Sequence, residues 1–514
     1  GGILIWRPGR TFRIFWMGLI GLCILRAGGE SVKIRLKNIG IIKGSEIVLD
    51  GLTVITGKNN SGKTTVGKTL YSLLDGVSNI QQKAQNDKAY YIRRQLNKVS
   101  NTLPDFLRCF RLQRPENAEF FSSYPALKEL AFRKTYQERS LDENMRLARG
   151  LEEELSLFEG ELIERNSECF QYWSVLRGSS NEQEHESRSS IFNAQKEEAL
   201  WILHKMFADV EKDPQLIDYA RESINQTLQT EFSYQIQPVR GQQGDSKIEL
   251  LGENTAYFHL TISENRVVNE GVPVFVSVPY QKAYFVDDPF VLDNALSWRF
   301  SDKMEPDDDA ILNPNRIVHH NYKLNSVLRS RRQPSVFEQT ILSDTLQEIK
   351  EKIDGIIPGT FDFSPEGEYY IQNGMKLRIA NLAAGSKMFS IIKILLAKGE
   401  LDNTTMLILD EPETHLHPQW QNAFAEIIVL LVKELGINIL LTTHSSNFML
   451  ALDAYMRKYH IADKTNFYQT DMLEDGFVRY RCVNDDMGKI YEDFLQYLSE
   501  VKVLRDQYLN GIGE

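Results

Sequence analysis

Hydrophobic and polar positions divide the chain into stretches of different period. From Val32 two segments, VKIRLKNI and SEIVLDG, predict strands that lead into the buried run LTVIT, Leu52 to Thr56. TVGKTLYSLL then takes up helical spacing. Residues 81–230 are charged, Gln-rich and helical in period, most clearly in LARGLEEELSLFEGELIER, with a turn at Gly178-Ser179-Ser180-Asn181. No heptad there persists long enough to predict a long coiled coil. Strand alternation returns across 231–300 in FSYQIQPV, SKIELL, AYFHLTI and PVFVSV, followed by KAYFVDDPFVLDNAL. Residues 301–360 read as a connector, loop-like over 302–335 and helical over 339–354. In 361–455 strands and helices alternate: YYIQ, LRIA, a helix after Gly385, the strand MLILD, the helix QWQNAFAEIIVLLVKEL and the strand INILLTTH. The segment 456–514 is expected to be a helical tail, with one amphipathic helix from Gly488 as a core, dimer or partner-docking face.

This alternation predicts an α/β fold: a mixed, mainly parallel sheet with helices on both faces and an antiparallel β lobe. The segments 32–80 and 361–455 carry the chemistry described next, far apart in sequence but required at one nucleotide. The helices of 81–230 are therefore a large insertion into one core.

The loop GKNNSGKTT follows LTVIT directly. Gly57, Lys58, Asn59, Asn60, Ser61, Gly62, Lys63 and Thr64 fit G-x-x-x-x-G-K-[ST], between a strand and a helix as that motif demands, with Thr65 next. Its backbone N–H groups and the helix N-terminus are expected to cradle phosphates. Lys63 would bridge the β- and γ-phosphates and the Thr64 hydroxyl would take a Mg²⁺ position. A plain Gly/Asn turn would not need all four fixed positions and both flanks.

Met406 to Asp410 is an apolar strand ending in Asp410-Glu411, which puts the acids at the strand's C-terminal tip, where ligands bind in such sheets. Asp410 is expected to hold Mg²⁺ through water and Glu411 to polarise the attacking water as general base. Alone, the pair would be two solvated strand-end acids. Ile439 to Thr443 is a third buried strand, ending in His444, which can report the terminal phosphate. Asn381 to Lys387 precedes another helix, so the amides of Ala384, Gly385 and Ser386 offer a second anion cradle. One nucleotide does not need two, and the second is expected to serve the ATP of another subunit.

Composition narrows the class. A length of 514 residues and a hydrophobic content of 42 percent suit a soluble globular chain of a few domains. The net charge of -11 argues against indiscriminate coating of nucleic acid but is compatible with a local basic groove. Cys23, Cys109, Cys169 and Cys482 lack pair spacing and read as reduced cytoplasmic thiols with no zinc site. The apolar run Ile14 to Leu25, behind Arg7, Arg10 and Arg13, is too short to span a bilayer. Residues 1–31 are read as an extension outside the native core, with no stable membrane association.

Together these residues resemble the ABC-type ATPases: Walker A at Gly57 to Thr64, a signature at Leu382 to Lys387, Walker B with its glutamate at Leu407 to Glu411, a D-loop near Glu413 to Leu416 and the switch histidine His444. DEPETHLHPQWQ and TTHSSNFML are similar to the RecF, SMC and OLD branch, especially the ATPases of bacterial anti-phage systems such as Septu. Ala383 stands where that signature usually has serine, so Ser386 or the amides would substitute. Gln281 is the candidate Q-loop glutamine.

The resemblance implies ATP and Mg²⁺ as cofactors and a head-to-tail homodimer or higher oligomer. The stretch after His444 lacks the Glu and Asp-x-Asp of a Toprim nuclease; Asp485-Asp486 reads as an acidic turn capping a helix. The first reading is thus an ATPase that regulates a separately encoded effector, such as a small nuclease, in defence against phage. The alternative is a RecF/SMC-like DNA-binding repair ATPase, supported by the basic residues Arg329, Arg331 and Arg332 with Arg93 and Arg94.

Overall fold

The computed structural model describes residues 31–104, 107, 122–132, 140–157, 183–212, 214–238, 245–268, 278–293, 319–330, 346–364 and 367–509. Residues 1–30, the turn at Gly178 to Asn181, PVFVSV apart from its final Val278, the Arg331-Arg332 pair and three of the four cysteines lie outside them; Cys482 is a free thiol.

Fourteen strands are described: β1 (Lys33–Ile39), β2 (Ile42–Val48), β3 (Leu52–Thr56), β4 (Ser246–Leu251), β5 (Ala256–Ser263), β6 (Arg266–Val268), β7 (Lys282–Val286), β8 (Thr360–Ser364), β9 (Gly367–Gln372), β10 (Met375–Arg378), β11 (Thr405–Asp410), β12 (Asn438–Thr443), β13 (Thr465–Met472) and β14 (Val478–Cys482). Eleven of them make one sheet in the order β6-β5-β4-β1-β2-β14-β13-β3-β12-β11-β7. The run β13-β3-β12-β11-β7 is parallel throughout, while β1, β2, β4, β5 and β6 pair antiparallel. The expected mixed sheet with an antiparallel lobe is therefore present.

Every residue of β3 is buried, as a central parallel strand with both faces covered requires. The pleat of β11 sends Leu407 and Leu409 into one core and Met406 and Ile408 into another on the opposite face. Helix α1 (Lys63–Val77) supplies Val66, Leu70 and Leu74 to the second core. The first core is filled by α9 (Ala384–Ala397), α10 (Pro418–Leu435) and α11 (Ser446–Lys458). Local chemistry fixes their ends. Pro418 opens α10 behind His417, whose ring accepts from the Gln419 N–H, and Gly436 closes it at φ 64°.

The described residues between Asn79 and Ala220 form a second compact unit with its own core. There α2 (Ile80–Thr102), α3 (Pro125–Phe132), α4 (Leu141–Leu157) and α5 (Gln183–Glu211) enclose Ile92, Leu96, Leu127, Leu151 and Leu203. Buried Glu154 accepts from the amides of Ala126 and Leu127, each at 2.8 Å, and so satisfies the open start of α3. Helix α6 (Leu216–Glu231) leads back to the large sheet.

Four expectations are corrected. Phe232 to Pro238 of FSYQIQPV form no strand but a turn, with Ser233 and Tyr234 at φ 49° and 65°, and Val239 lies outside the described residues. The Asn265 side chain accepts from the amides of Ile236 and Gln237 and takes the place of a ladder partner. Within 302–335, read as loop, residues 320–329 form helix α7 (His320–Arg329), which buries Leu324 and Leu328 one turn apart. YYIQ and LRIA do not enter the parallel core; β8, β9 and β10 make a separate three-stranded antiparallel sheet, and Ile379 starts a 3-10 turn. The segment 456–514 is not all helical. Its strand β13 lies directly beside β3 and β14 lies beside β13, ahead of helix α12 (Met487–Leu509), while α8 (Gln347–Ile356) precedes β8. Asp485-Asp486 sits in the turn just before Met487, as expected.

Candidate nucleotide site

The C-terminal ends of β3, β11 and β12 converge, and the sequence-predicted residues arrive there together. The loop after β3 turns at Asn60 (φ 61°) and Gly62 (φ 76°) before α1 begins, a left-handed pair that only small or Asn-like residues hold easily. Lys58, Asn59 and Asn60 are exposed, while Ser61 and Lys63 are buried. The Lys63 ammonium folds back over its own loop, donating to the carbonyls of Gly57 at 3.0 Å and Lys58 at 2.9 Å, and pairs with Glu411 Oε1 at 3.1 Å. Ser61 Oγ is buried without a partner. The Thr65 amide donates to the Gly62 carbonyl in the first helical turn.

Asp410 closes the site from β11. The Thr64 hydroxyl donates to Asp410 Oδ2 at 2.6 Å and the Thr442 hydroxyl donates to Oδ1. Burial pushes the Asp410 carboxyl above its ordinary range; those two hydroxyls oppose the rise and the charges of Glu411 and Asp287 add to it. Concentrated, incompletely compensated negative charge beside a hydroxyl is the donor set of a hard oxygen-loving dication.

Glu411 is the first residue past β11 and holds φ 48°, a strained value for a side chain of its size. Its amide is pinned by the carbonyl and hydroxyl of Thr442, both at 3.1 Å. The carboxylate spans two side chains, with Oε1 on the Lys63 ammonium and Oε2 3.1 Å from His444 Nδ1. Behind it, Glu413 Oε1 accepts from the Thr443 hydroxyl at 2.5 Å and the His444 amide at 3.2 Å. Burial holds the Glu413 carboxyl above its usual range.

The predicted second cradle lies at the start of α9. Ala383 is its N-cap in extended conformation and gives no side-chain cap, so the first-turn amides at Ala384, Gly385 and Ser386 keep their donors open. A Cβ on Gly385 would stand 3.0 Å from the His415 carbonyl, so the loop after β11 packs against this turn. Lys387 does not face solvent. It is buried and pairs with Asp293 at 2.7 Å and the Ala380 carbonyl at 3.0 Å.

Gln281 is not at the site. It precedes β7 and its amide binds the Thr404 carbonyl, which is the N-terminal end of a strand parallel to β11 and hence the end away from the loop. The opposite end of β7 carries Asp287, one of several residues that sequence reasoning missed. Asp287 lies 3.0 Å from His320 Nε2. Burial favours its neutral form, but His320 and Asn321 outweigh burial and keep it below the usual range. The signal was available: AYFVDD ends in paired acids just as MLILDE does. Also missed were Thr470 and Tyr480 of β13 and β14. A Cβ on Gly57 would lie 1.8 Å from Thr470 Oγ1, so these strands press on the loop.

Of the basic residues weighed for DNA, Arg329 is committed to Glu368 through two contacts, 2.5 and 2.8 Å, and to the Leu292 carbonyl. Among the described residues, no helix is long and apolar enough to cross a membrane.

A family profile described as AAA ATPase domain matches residues 32–449. No curated protein matches the chain. Solved structures with a similar arrangement include the SMC head domain from Thermotoga maritima, at 10% identity and TM-score 0.32 over 88% of this chain and 99% of that one. Another is the Smc head domain with a coiled coil and joint derived from Pyrococcus yayanosii, at 13% identity and TM-score 0.32 over 90% and 99%.

Proposed function

The chain belongs to the AAA ATPase domain family, and from that premise we propose that it is an ABC-type ATPase that hydrolyses ATP with Mg²⁺ in a head-to-tail dimer and regulates a separately encoded effector, a nuclease, in defence against phage. The observation that carries the catalytic part is the carboxylate pair at the end of β11: Asp410 on the Thr64 hydroxyl, and Glu411 held between Lys63 and His444.

The residues suit the nucleotide and its ion. Thr64 and Asp410 would hold Mg²⁺, which would supply charge neutralisation for the phosphates. The unpartnered Ser61 hydroxyl and the loop amides are ready donors for phosphate oxygens. Lys63, now on the carbonyls of Gly57 and Lys58 and on Glu411, would hold phosphate oxygens in their place. Glu411 then accepts a proton from water, with His444 orienting its other oxygen. The uncapped start of α9 supports a second subunit whose phosphates meet Ala384, Gly385 and Ser386. The regulatory part rests on the likeness of DEPETHLHPQWQ and TTHSSNFML to the ATPases of bacterial anti-phage systems.

The test follows ATP turnover with and without Mg²⁺, the sedimentation of the Glu411→Gln chain with ATP, and what copurifies with the chain from its source. Mg²⁺-dependent turnover, an ATP-dependent dimer and a stoichiometric nuclease whose cutting follows nucleotide state support the proposal. DNA bound in a salt-sensitive way without a protein partner would install the RecF/SMC-like repair reading instead.

A further inference from the structure

Beside the nucleotide site, three elements bring together a cluster that the catalytic reading does not use. Glu231 is the last residue of α6, His319 and His320 open α7, and Asp287 follows β7. We propose that Glu231, His319 and His320 form a binding site for one transition-metal dication of the zinc class, with Asp287 orienting His320 from behind.

The ligand atoms of Glu231, His319 and His320 all lie within 4.8 Å of one another. His320 Nδ1 is 2.6 Å and His319 Nε2 3.6 Å from the same oxygen, Glu231 Oε2. A tetrahedral ion with bonds of about 2.1 Å spaces its ligands about 3.4 Å apart, between those two values. Movements of under about 1 Å would therefore seat it. Two imidazoles and one carboxylate, with a fourth position open, are a zinc-type donor set.

Glu231 ends a helix, where the backbone dipole favours a positive charge, and the Lys68 ammonium already donates to its carbonyl at 3.0 Å. The other carboxylate oxygen of Glu231 stays fixed by the His320 amide at 2.8 Å. Both Glu231 and His320 side chains are fully buried, and His320 is stacked on Phe285 with a ring distance of 4.3 Å. On the far side of that ring Nε2 lies 3.0 Å from Asp287 Oδ2, so a carboxylate stands behind the ring as it does behind many metal-ligating histidines, here as an ion-pair contact without hydrogen-bond alignment. His319 is 43% exposed in its side chain and gives the ion a path from solvent.

The proposal stands on these side chains alone and does not rest on the nucleotide reading. The full chain, stripped with a chelator, is titrated with Zn²⁺ against a chromophoric competitor, and with Co²⁺ for its visible absorption. Expected are one ion per chain retained by wild type and by Asp410→Asn, and affinity lower by about 100-fold in His319→Ala. An unchanged far-UV spectrum of His319→Ala establishes that the variant is folded. Failure of wild type to retain Zn²⁺, or equal retention by His319→Ala, overturns the site. Loss in Asp410→Asn alone would assign the ion to the nucleotide site and overturn it equally.

Discussion

The Tyr480 hydroxyl donates a 2.7 Å hydrogen bond to the carbonyl of Gly62, the residue that turns the phosphate loop into α1. A strand near the end of the chain thereby fixes the loop that follows β3. Burial pushes this phenol well above its ordinary range, so it remains a donor at any pH at which the protein is handled.

Tyr480→Phe leaves the Gly62 carbonyl without that partner. Stability should fall by roughly 1–2 kcal/mol, and ATP affinity should fall with it because the loop loses its outer support. Urea melts paired with nucleotide titration check both. Unchanged ATP affinity would mean that the loop holds its shape unaided.

Lys63→Ala removes the one loop cation folded over Gly57 and Lys58. Nucleotide affinity is expected to drop by more than about 100-fold, since several charge-assisted bonds are lost together. Equilibrium binding of a fluorescent ATP analogue measures it; tight binding by the variant would remove Lys63 from the phosphate site.

Glu411→Gln keeps the size of the side chain and its contact distance to Lys63 but cannot accept a proton. ATP binding should persist while turnover falls by about 10²–10⁴-fold. Turnover within severalfold of wild type would show that another group is the base.

Glu413 predicts the direction of a pH effect. Its folded-state pKa is raised by burial, so its contribution to stability is complete below the ordinary carboxylate value and is lost as pH rises through the folded one. Glu413→Gln still accepts from Thr443 and His444 through its carbonyl oxygen, and it removes the buried charge. The variant should therefore melt higher than wild type near neutral pH, with the gap closing as pH falls through the carboxylate range. A gap that widens on acidification would contradict the assignment.

Where chemistry is local, sequence and structure agree closely. The strand LTVIT with the turn after it, MLILD and INILLTT were legible because a buried strand must be apolar and a tight left-handed turn favours glycine. FSYQIQPV misled because alternating apolar positions do not reveal that Asn265, far along the chain, takes over the hydrogen bonds a strand would need. Helix α7 was hidden by polar residues: with only Leu324 and Leu328 buried among the apolar ones, its signal was a single turn long.

What the sequence by itself determined is the mainly parallel α/β core and the order in which the chain supplies LTVIT, MLILD and INILLTTH, since each follows from short-range pattern. The tertiary structure decided which distant segments complete the site. It set β13 against β3, carried Tyr480 to Gly62, rejected Gln281 by placing it at the wrong end of β7, and gathered Glu231, Asp287 and His320 from three elements into one cluster. The reason is physical: strand neighbours and buried charge partners are selected by the packing of a whole sheet, and no local period along the chain encodes them.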